Sequence, residues 1–310
     1  MIKIALIFPG QGSQSVGMGK NLYEKYPKAK EIIDNAGDKI KGIIFDGPEE
    51  TLKATKYSQP AIFTVSAAAF EVFKENIECE KFEFCAAGHS LGEYSALYCA
   101  GFLDFKDTLE LVKARGRFIQ NASDKNPGLM AAILGIEKPV VINICNEVSS
   151  LGVCEAVNFN SPGQIVISGN KNAVNKALDI AKEKGALKTV ILNVSGPFHS
   201  SLMSSAADDM EQELQKYNFK KPYFGIWTNC DAQLTQEPDV LKKKLVLQVK
   251  NPVKWDDTMK NAILNGFEHF IEFGHGKILS GLLRRIDKTK KAFNVEDSES
   301  LQKTLEELNK

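Results

Sequence analysis

One serine in this chain stands in a setting suited to covalent chemistry: Ser90, within the stretch "GHSLG" at residues 88–92. Residues 82–88 are predicted to form a strand and residues 92–100 a helix. A sharp turn between them pushes the hydroxyl out of the sheet, and the helix offers free N–H groups to an oxyanion. This predicts a nucleophile, although G-x-S-x-G occurs by chance in about one chain in ten of this length. A glycine-bounded turn with a capping serine is the alternative.

A nucleophilic serine needs a general base, and the chain has four histidines: His89, His199, His269 and His275. His89 lies inside the turn, His269 alternates with apolar residues, and His275 lies in a glycine loop. His199, in "VSGPFHSSLM", follows a predicted strand and precedes an amphipathic helix. Because a helix N-terminus disfavours imidazolium, His199 is predicted to rest neutral, as a base must. A first-turn histidine without a role is the alternative, and no aspartate is marked as its partner.

Arg115 is a charged residue on an otherwise apolar helical face, between Leu111 and Phe118. A buried guanidinium must meet an anion or bear a large desolvation cost. The sequence alone allows two kinds of anion, an internal carboxylate or a substrate, and an internal carboxylate is the commoner case.

The elements that must position these residues alternate between predicted strands and helices, beginning with the buried strand "IKIALIF". Residues 126–195 depart from this pattern, because their predicted elements follow the order β-α-β-β-α-β, which is typical of a ferredoxin-like unit. We therefore predict a discontinuous large α/β domain, residues 1–125 and 196–310. The ferredoxin-like subdomain, residues 126–195, is inserted into it.

Composition excludes several classes of protein. The chain has 310 residues, and its 39 basic side chains balance its 39 acidic ones, so no global attraction to nucleic acid or membrane is expected. No apolar run approaches the roughly 18 residues that span a bilayer, and the N-terminal apolar run is too short for a secretory signal. The six cysteines and four histidines show no metal-ligand spacing. We expect a cytoplasmic protein with reduced cysteines and no metal site.

Six motifs, in the same order over essentially the whole chain, carry a resemblance to a known family. They are "FPGQGSQSVGMG" (8–19), "GHSLGE", "NFNSPGQIVISG", "GPFHS", "LVLQVKNPVKWDD" (245–257) and "FGHGKILSGL". With these motifs the chain resembles the malonyl-CoA:acyl-carrier-protein transacylases, which supply malonyl units to fatty acid synthesis. The resemblance implies a hydrolase-like three-layer α/β core with a parallel sheet and a ferredoxin-like small domain.

The resemblance also implies a ping-pong mechanism. Ser90 would attack the malonyl thioester of coenzyme A, and His199 would take the serine proton and pass it to the leaving thiolate. The phosphopantetheine thiol of acyl carrier protein would then attack the malonyl-serine ester. The main-chain N–H groups of Gln11 and Leu91 would form the oxyanion hole. Gln248 would orient the base through an amide or main-chain oxygen, and its helical spacing predicts an inward-facing side chain.

Three further residues are implied in substrate binding. Arg115 would grip the malonyl carboxylate with two hydrogen bonds, so acetyl thioesters should be poor substrates. Phe198 would leave little room for an α-methyl group, and Asn160 would line the site; plain packing is the alternative for both. The chain departs from the family pattern at Ile119, where some relatives carry methionine, and at His275, which replaces a proline.

The implied partners are coenzyme A thioester and phosphopantetheinylated acyl carrier protein. No permanently bound cofactor is implied, because malonyl-CoA enters as a substrate. Acyl carrier protein is acidic, so docking requires a local basic patch; Lys277, Arg284 and Arg285 are the candidates, with a solvated helix face as the alternative. We expect a monomer.

Two rival functions share parts of this sequence pattern. A serine thioesterase or esterase would use the same turn but would admit water instead of a thiol; Arg115 and the "GQGSQ" loop favour the transferase. A nucleotide-binding protein is disfavoured, because G-x-G-x-x-G would need glycine at Ser15 and the phosphate-loop pattern fails at Asn21.

Overall fold

The computed structural model describes all 310 residues, which form two sheets flanked by helices. The first part of the chain contains β1 (Ile2–Phe8), α1 (Lys20–Lys25), α2 (Pro27–Asn35), α3 (Asp38–Asp46), α4 (Glu49–Lys53), α5 (Thr55–Glu75), β2 (Phe82–Gly88), α6 (Gly92–Ala100) and α7 (Phe105–Lys125). The middle part contains β3 (Leu129–Leu134), α8 (Lys138–Glu147), β4 (Cys154–Ser161), β5 (Gln164–Gly169), α9 (Lys171–Glu183) and β6 (Lys188–Ile191). The last part contains α10 (Ser204–Leu214), β7 (Ile226–Trp227), β8 (Leu234–Thr235), α11 (Pro238–Lys250), α12 (Trp255–Leu264), β9 (His269–Phe273), α13 (Ile278–Ile286), β10 (Lys291–Val295) and α14 (Ser298–Leu308).

The larger sheet has the strand order β10-β9-β1-β2-β7-β8, and all neighbours are parallel except β7 and β8. Along the central strand β1, Leu6 and Phe8 pack into one hydrophobic cluster and Ala5 and Ile7 into another. Side chains of a strand alternate between faces, so this sheet is buried on both sides. The predicted three-layer α/β core with a parallel sheet is therefore confirmed.

The carboxyl ends of β1 and β2 lie side by side, because Phe8 is paired with Gly88 in the parallel register. The segment after β1 carries Gln11, and the turn after β2 carries Ser90. This register brings together two stretches that lie far apart in the sequence.

The smaller sheet is antiparallel, with the order β4-β5-β3-β6. It has the order and topology expected of a ferredoxin-like unit, with a hydrophobic cluster shared with α8 and α9 on one face. All four strands lie inside residues 126–195, the range predicted for the subdomain. Main-chain hydrogen bonds fix this sheet to the segment between α11 and α12: Phe159 donates to the oxygen of Val253 at 2.9 Å, and Val253 donates to that of Val157 at 2.8 Å.

Local differences from the sequence-based prediction have simple causes. Residues 48–75 have the composition of one continuous helix, but this stretch is divided at Ala54, whose backbone is extended. The Asp104 side chain caps α7, which continues to Lys125. Strand β10 was not predicted, because its residues are mostly half-buried and lack a clear apolar alternation. No helix combines the length and apolarity needed to cross a membrane.

Candidate active site

Ser90 lies in the turn between β2 and α6, with a backbone φ of 51°. This left-handed value is uncommon for a residue other than glycine. A Cβ atom on Gly88 would overlap the main chain of Gly92, and one on Gly92 would overlap the main-chain oxygen of Phe8. The glycines of the motif are thus required by close packing of the turn against β1, as in a nucleophile elbow.

Asn229, a residue that the sequence did not single out, holds this turn in place. Its Oδ1 accepts a 2.7 Å hydrogen bond from the Ser90 N–H, and its Nδ2 donates at 2.7 Å to the oxygen of Gly88. Asn229 is fully buried just after β7, the strand next to β2. An asparagine at the end of the apolar stretch "FGIWTN" (224–229) is the one available signal for it.

His199 lies directly opposite the serine. Its Nε2 is 2.7 Å from Ser90 Oγ, and its Nδ1 is 2.8 Å from the main-chain oxygen of Gln248. A carbonyl oxygen only accepts, so Nδ1 carries the hydrogen and the unprotonated Nε2 accepts from the serine hydroxyl. This tautomer is the one that a general base requires.

Burial and, to a lesser extent, the positive charge of Arg115 lower the pKa of His199 to about 3, although the hydrogen bond to Gln248 opposes these effects. The imidazole therefore rests neutral at physiological pH. A helix N-terminus, the cause expected from the sequence, would favour the same neutral state. In the structure a short 3₁₀ turn at 201–203 separates His199 from α10, so burial and the neighbouring guanidinium are the main causes.

The guanidinium of Arg115 is almost fully buried and has neutral hydrogen-bond acceptors only. Nη1 donates to Gln59 Oε1 at 2.8 Å, and Nη2 donates to Gln248 Oε1 at 2.9 Å and to Ser90 Oγ at 3.2 Å. Its Nε has no partner, and the group lies 5.1 Å from the centre of the Tyr94 ring. The internal carboxylate that the sequence allowed is not among its acceptors. A buried cation without a hydrogen-bonded counter-ion beside the serine is suited to an anionic substrate.

Gln248 is fully buried and its side chain faces inward, as its position on the helical face predicted. Its main-chain oxygen orients His199, and its side-chain oxygen accepts from Arg115. Its amide nitrogen donates at 2.8 Å to the main-chain oxygen of Ser90 and at 2.8 Å to Glu93 Oε2. One residue therefore contacts the base, the cation and the elbow.

The main-chain N–H groups of Gln11 and Leu91 donate to no other atom of the protein. Both residues line a cavity of about 90 Å³ that also contains Ser90. The segment after β1 packs tightly on the elbow, because a Cβ on Gly10 would overlap the main-chain oxygen of His89. Two free donors beside the serine can receive a developing oxyanion.

The two remaining predicted substrate residues, Phe198 and Asn160, differ in their placement. Phe198 lines the cavity, and so does Ile119. Asn160 does not: its Oδ1 is 2.8 Å from His89 Nε2, and Asn158 contributes to the cavity wall instead. Strand β4 is irregular between Phe159 and Ser161, and sequence periodicity gives no sign of that irregularity.

His275 joins two loops at this edge of the larger sheet. Its Nε2 is 2.8 Å from Ser15 Oγ, and its Nδ1 is 3.6 Å from a carboxylate oxygen of Glu296. The glycine loop after β9 is thus linked to the segment after β1 that carries Gln11. No group of three or more potential metal ligands is present in the chain.

Comparison with known proteins identifies the family. The acyl transferase domain family matches residues 5–303. The malonyl CoA-acyl carrier protein transacylase of Bacillus subtilis (strain 168) is 41% identical over 313 residues, covering 99% of this chain and 98% of that protein. The enzyme of the same name from Escherichia coli (strain K12) is 39% identical over 310 residues, covering 99% and 100%.

Solved structures agree with the sequence comparison. The acyl-carrier-protein-S-malonyltransferase of Bartonella henselae superposes with a TM-score of 0.95 at 40% identity and full coverage of both chains. A malonyl-transacylase solved in complex with its type II PKS acyl-carrier protein superposes with a TM-score of 0.94 at 38% identity, covering 98% of this chain and 99% of that one. This chain therefore belongs to the malonyl CoA-acyl carrier protein transacylase family.

Proposed function

We propose that the protein is an [acyl-carrier-protein] S-malonyltransferase that moves malonyl from malonyl-CoA to the phosphopantetheine thiol of acyl carrier protein, for fatty acid synthesis. The observation that carries this proposal is the convergence of three groups from distant parts of the chain. Ser90 Oγ lies 2.7 Å from His199 Nε2 and 3.2 Å from Arg115 Nη2. A nucleophile, a neutral base and an unpaired cation in one cavity suit a substrate that is both a thioester and a carboxylate.

The first half-reaction forms an ester on Ser90. Its Oγ attacks the thioester carbon while His199 Nε2 takes the hydroxyl proton, and the oxyanion accepts from the N–H groups of Gln11 and Leu91. Collapse of the tetrahedral intermediate breaks the carbon–sulfur bond. The coenzyme A thiolate leaves with the proton held by His199, and malonyl remains on Ser90.

The second half-reaction runs through the same groups in reverse. The phosphopantetheine thiol gives its proton to His199 and attacks the malonyl ester. The new tetrahedral intermediate collapses to malonyl-carrier thioester, and Ser90 recovers its proton from His199. No group outside the protein and its two substrates is needed for these steps to balance.

Arg115 explains a preference for malonyl. The substrate carboxylate would replace Ser90 Oγ as an acceptor for the guanidinium and would neutralise its charge. An acetyl group offers no such anion, so the buried cation would stay without a counter-ion in the acyl-enzyme. Phe198, on the cavity wall, would crowd a branched α-carbon.

Acyl carrier protein is the proposed partner, and Lys277, Arg284 and Arg285 are the proposed docking residues. All three are exposed, and Lys277 directly follows the glycine loop that His275 links to the oxyanion segment. Reversing the charges of Arg284 and Arg285 should raise the KM for acyl carrier protein and leave the KM for malonyl-CoA unchanged. An unchanged KM for the carrier would remove these residues from the interface.

We further propose that the protein acts as a monomer in the cytoplasm. The proposed site is built from one chain only, and all six cysteines are free thiols, as is usual in a reducing compartment. Light scattering at working concentration tests the first point, since a stable dimer would contradict it.

The function is tested by intact-mass analysis after mixing with malonyl-CoA and no carrier. We expect the mass of one malonyl group on the peptide that contains Ser90, its loss when carrier protein is added, and no adduct in Ser90→Ala. Release of malonate without malonyl-carrier product would instead indicate the hydrolase alternative.

A further inference from the structure

Glu93 is a buried acid that the mechanism above does not use. It lies in the first turn of α6, close to Ser90, and it is fully buried. Its Oε2 accepts hydrogen bonds from Gln248 Nε2 at 2.8 Å and from the main-chain N–H of Asn229 at 3.3 Å, while its Oε1 has no partner. An acid so poorly satisfied in the core calls for an explanation other than stability.

The two oxygens around the Gln248 amide nitrogen decide which way that amide points. The nitrogen faces Ser90 O and Glu93 Oε2, which both accept, and the oxygen faces Arg115 Nη2, which donates. The opposite orientation would set two acceptors against an oxygen and a guanidinium against an amino group. Of the two acceptors that fix the orientation of the amide, Glu93 Oε2 is the one that belongs to a side chain.

The oriented amide in turn holds Arg115. Gln248 Oε1 and Gln59 Oε1 each accept from one terminal nitrogen of the guanidinium, and these two contacts aim Nη2 at Ser90 Oγ. We propose that Glu93 is a positioning residue for malonyl specificity, which acts by fixing the Gln248 amide and, through it, the Arg115 guanidinium.

The electrostatics of the site agree with this role. Burial raises the pKa of Glu93 to about 8, although Gln248, Asn229 and the charge of Arg115 favour its ionised form. Glu93 is therefore mainly a neutral acid near pH 7. With its proton on the unpartnered Oε1, the neutral acid still accepts from the amide through Oε2, and it places no competing anion beside the cation that awaits the substrate carboxylate.

The inference rests on the proposed function, and its test compares Glu93→Met with Glu93→Gln. Methionine fills the space but offers no strong acceptor, whereas glutamine keeps an oxygen that can accept from Gln248. The control is Ser95→Ala, on the same helix, because Ser95 is buried and its hydroxyl makes no hydrogen bond. The readouts are the ratio of kcat/KM for malonyl-CoA to that for acetyl-CoA, and the rate of Ser90 labelling by a neutral fluorophosphonate.

We expect Glu93→Met to lower the malonyl-to-acetyl ratio about tenfold, the effect of one lost buried hydrogen bond. Labelling of Ser90 should stay within about twofold, and Glu93→Gln and Ser95→Ala should retain the ratio. In a Gln248→Met background, Glu93→Met should lower the ratio no further, because both changes break the same link.

An unchanged ratio in a folded Glu93→Met protein would overturn the inference, as would an equal loss with both thioesters and the probe, which indicates a purely structural role. If Glu93→Met does not fold, Gln248→Met carries the test, and retention of the malonyl preference there would overturn it. Failure of the proposed function is a separate result, since the unaltered protein would then form no malonyl-Ser90 adduct.

Discussion

The Nδ1 atom of His199 lies 2.8 Å from the main-chain oxygen of Gln248, so a peptide carbonyl orients the proposed base. A carboxylate would stabilise the imidazolium more strongly than this neutral oxygen does. A thiolate leaving group needs less help from an acid than an amine does, so the weaker partner suits thioester chemistry.

Because the orienting oxygen belongs to the main chain, removal of the Gln248 side chain should leave the base in place. We expect His199→Ala to slow acylation of Ser90 by about 10²–10⁴-fold, the usual contribution of a general base. Gln248→Ala should slow it far less when the substrate is acetyl-CoA. Stopped-flow or quenched-flow acylation measures both. Equal losses in the two variants would mean that the side chain, and not the peptide carbonyl, supports catalysis.

The lowered pKa of His199 sets the pH dependence of the reaction. Its folded-state pKa of about 3 lies below the ordinary value of 6.5, so the neutral base persists as the pH falls through 6.5. We expect kcat/KM for malonyl-CoA to show no acid limb near 6.5 over the range where circular dichroism reports a folded protein. The stability of the fold should fall as the pH drops from about 6.5 towards 3, because only the unfolded chain binds this proton there. A loss of activity with an apparent pKa near 6.5 would contradict the conclusion that burial and Arg115 keep His199 neutral at that pH.

The unpaired charge of Arg115 predicts a loss of substrate discrimination. Arg115→Ala should reduce kcat/KM for malonyl-CoA by about a hundredfold or more, since charge-assisted hydrogen bonds contribute roughly 1.5–3 kcal/mol each. Acetyl-CoA should be affected much less. Arg115→Lys is the matched control, because it keeps the charge and loses the planar fork. If the ratio of kcat/KM for malonyl-CoA to that for acetyl-CoA does not change in Arg115→Ala, Arg115 does not bind the malonyl carboxylate.

The two buried hydrogen bonds from Asn229 to the elbow predict effects on both the stability of the fold and the rate of Ser90 acylation. Asn229→Ala leaves the Ser90 N–H and the Gly88 carbonyl without their partner, and a buried unsatisfied group costs about 1–3 kcal/mol. We expect a lower free energy of unfolding in urea and slower acylation of Ser90. Asn229→Asp, which keeps the acceptor for the Ser90 N–H, should retain more of the rate. Equal rates in the two variants would show that this acceptor does not position the serine.

Sequence patterns could predict those parts of the site that depend on local structure. Ser90 is marked by its glycines and by the strand and helix around it, and the inward face of Gln248 follows from helical spacing. Asn229 and Glu93 are different, because their importance arises from which strands and helices become neighbours. No pattern in the residues near position 229 predicts that β7 lies beside β2.

The fold, too, was predictable where it depends on local sequence patterns and not where it depends on contacts between distant elements. Regular alternation predicted the buried strands and the chain order of the elements in the small sheet, whereas Asn160, on the irregular part of β4, contacts His89 and does not line the cavity. The neutral state of His199 was predicted for the wrong reason, since the burial that causes it exists only in the folded protein.

The cavity is lined by the elbow, by residues of helices α5, α7 and α11, and by strands of the smaller sheet. Ser90, His199 and Arg115 lie outside the smaller sheet, whereas Met130 and Asn158, on its strands β3 and β4, also line the cavity. Substitutions in the small sheet can therefore reshape the space for the acyl group and leave the nucleophile and its base untouched. Within this fold, a change of acyl-group selectivity is therefore easier than a change of reaction type. Residues of the small sheet are the positions at which acyl-group selectivity can be engineered.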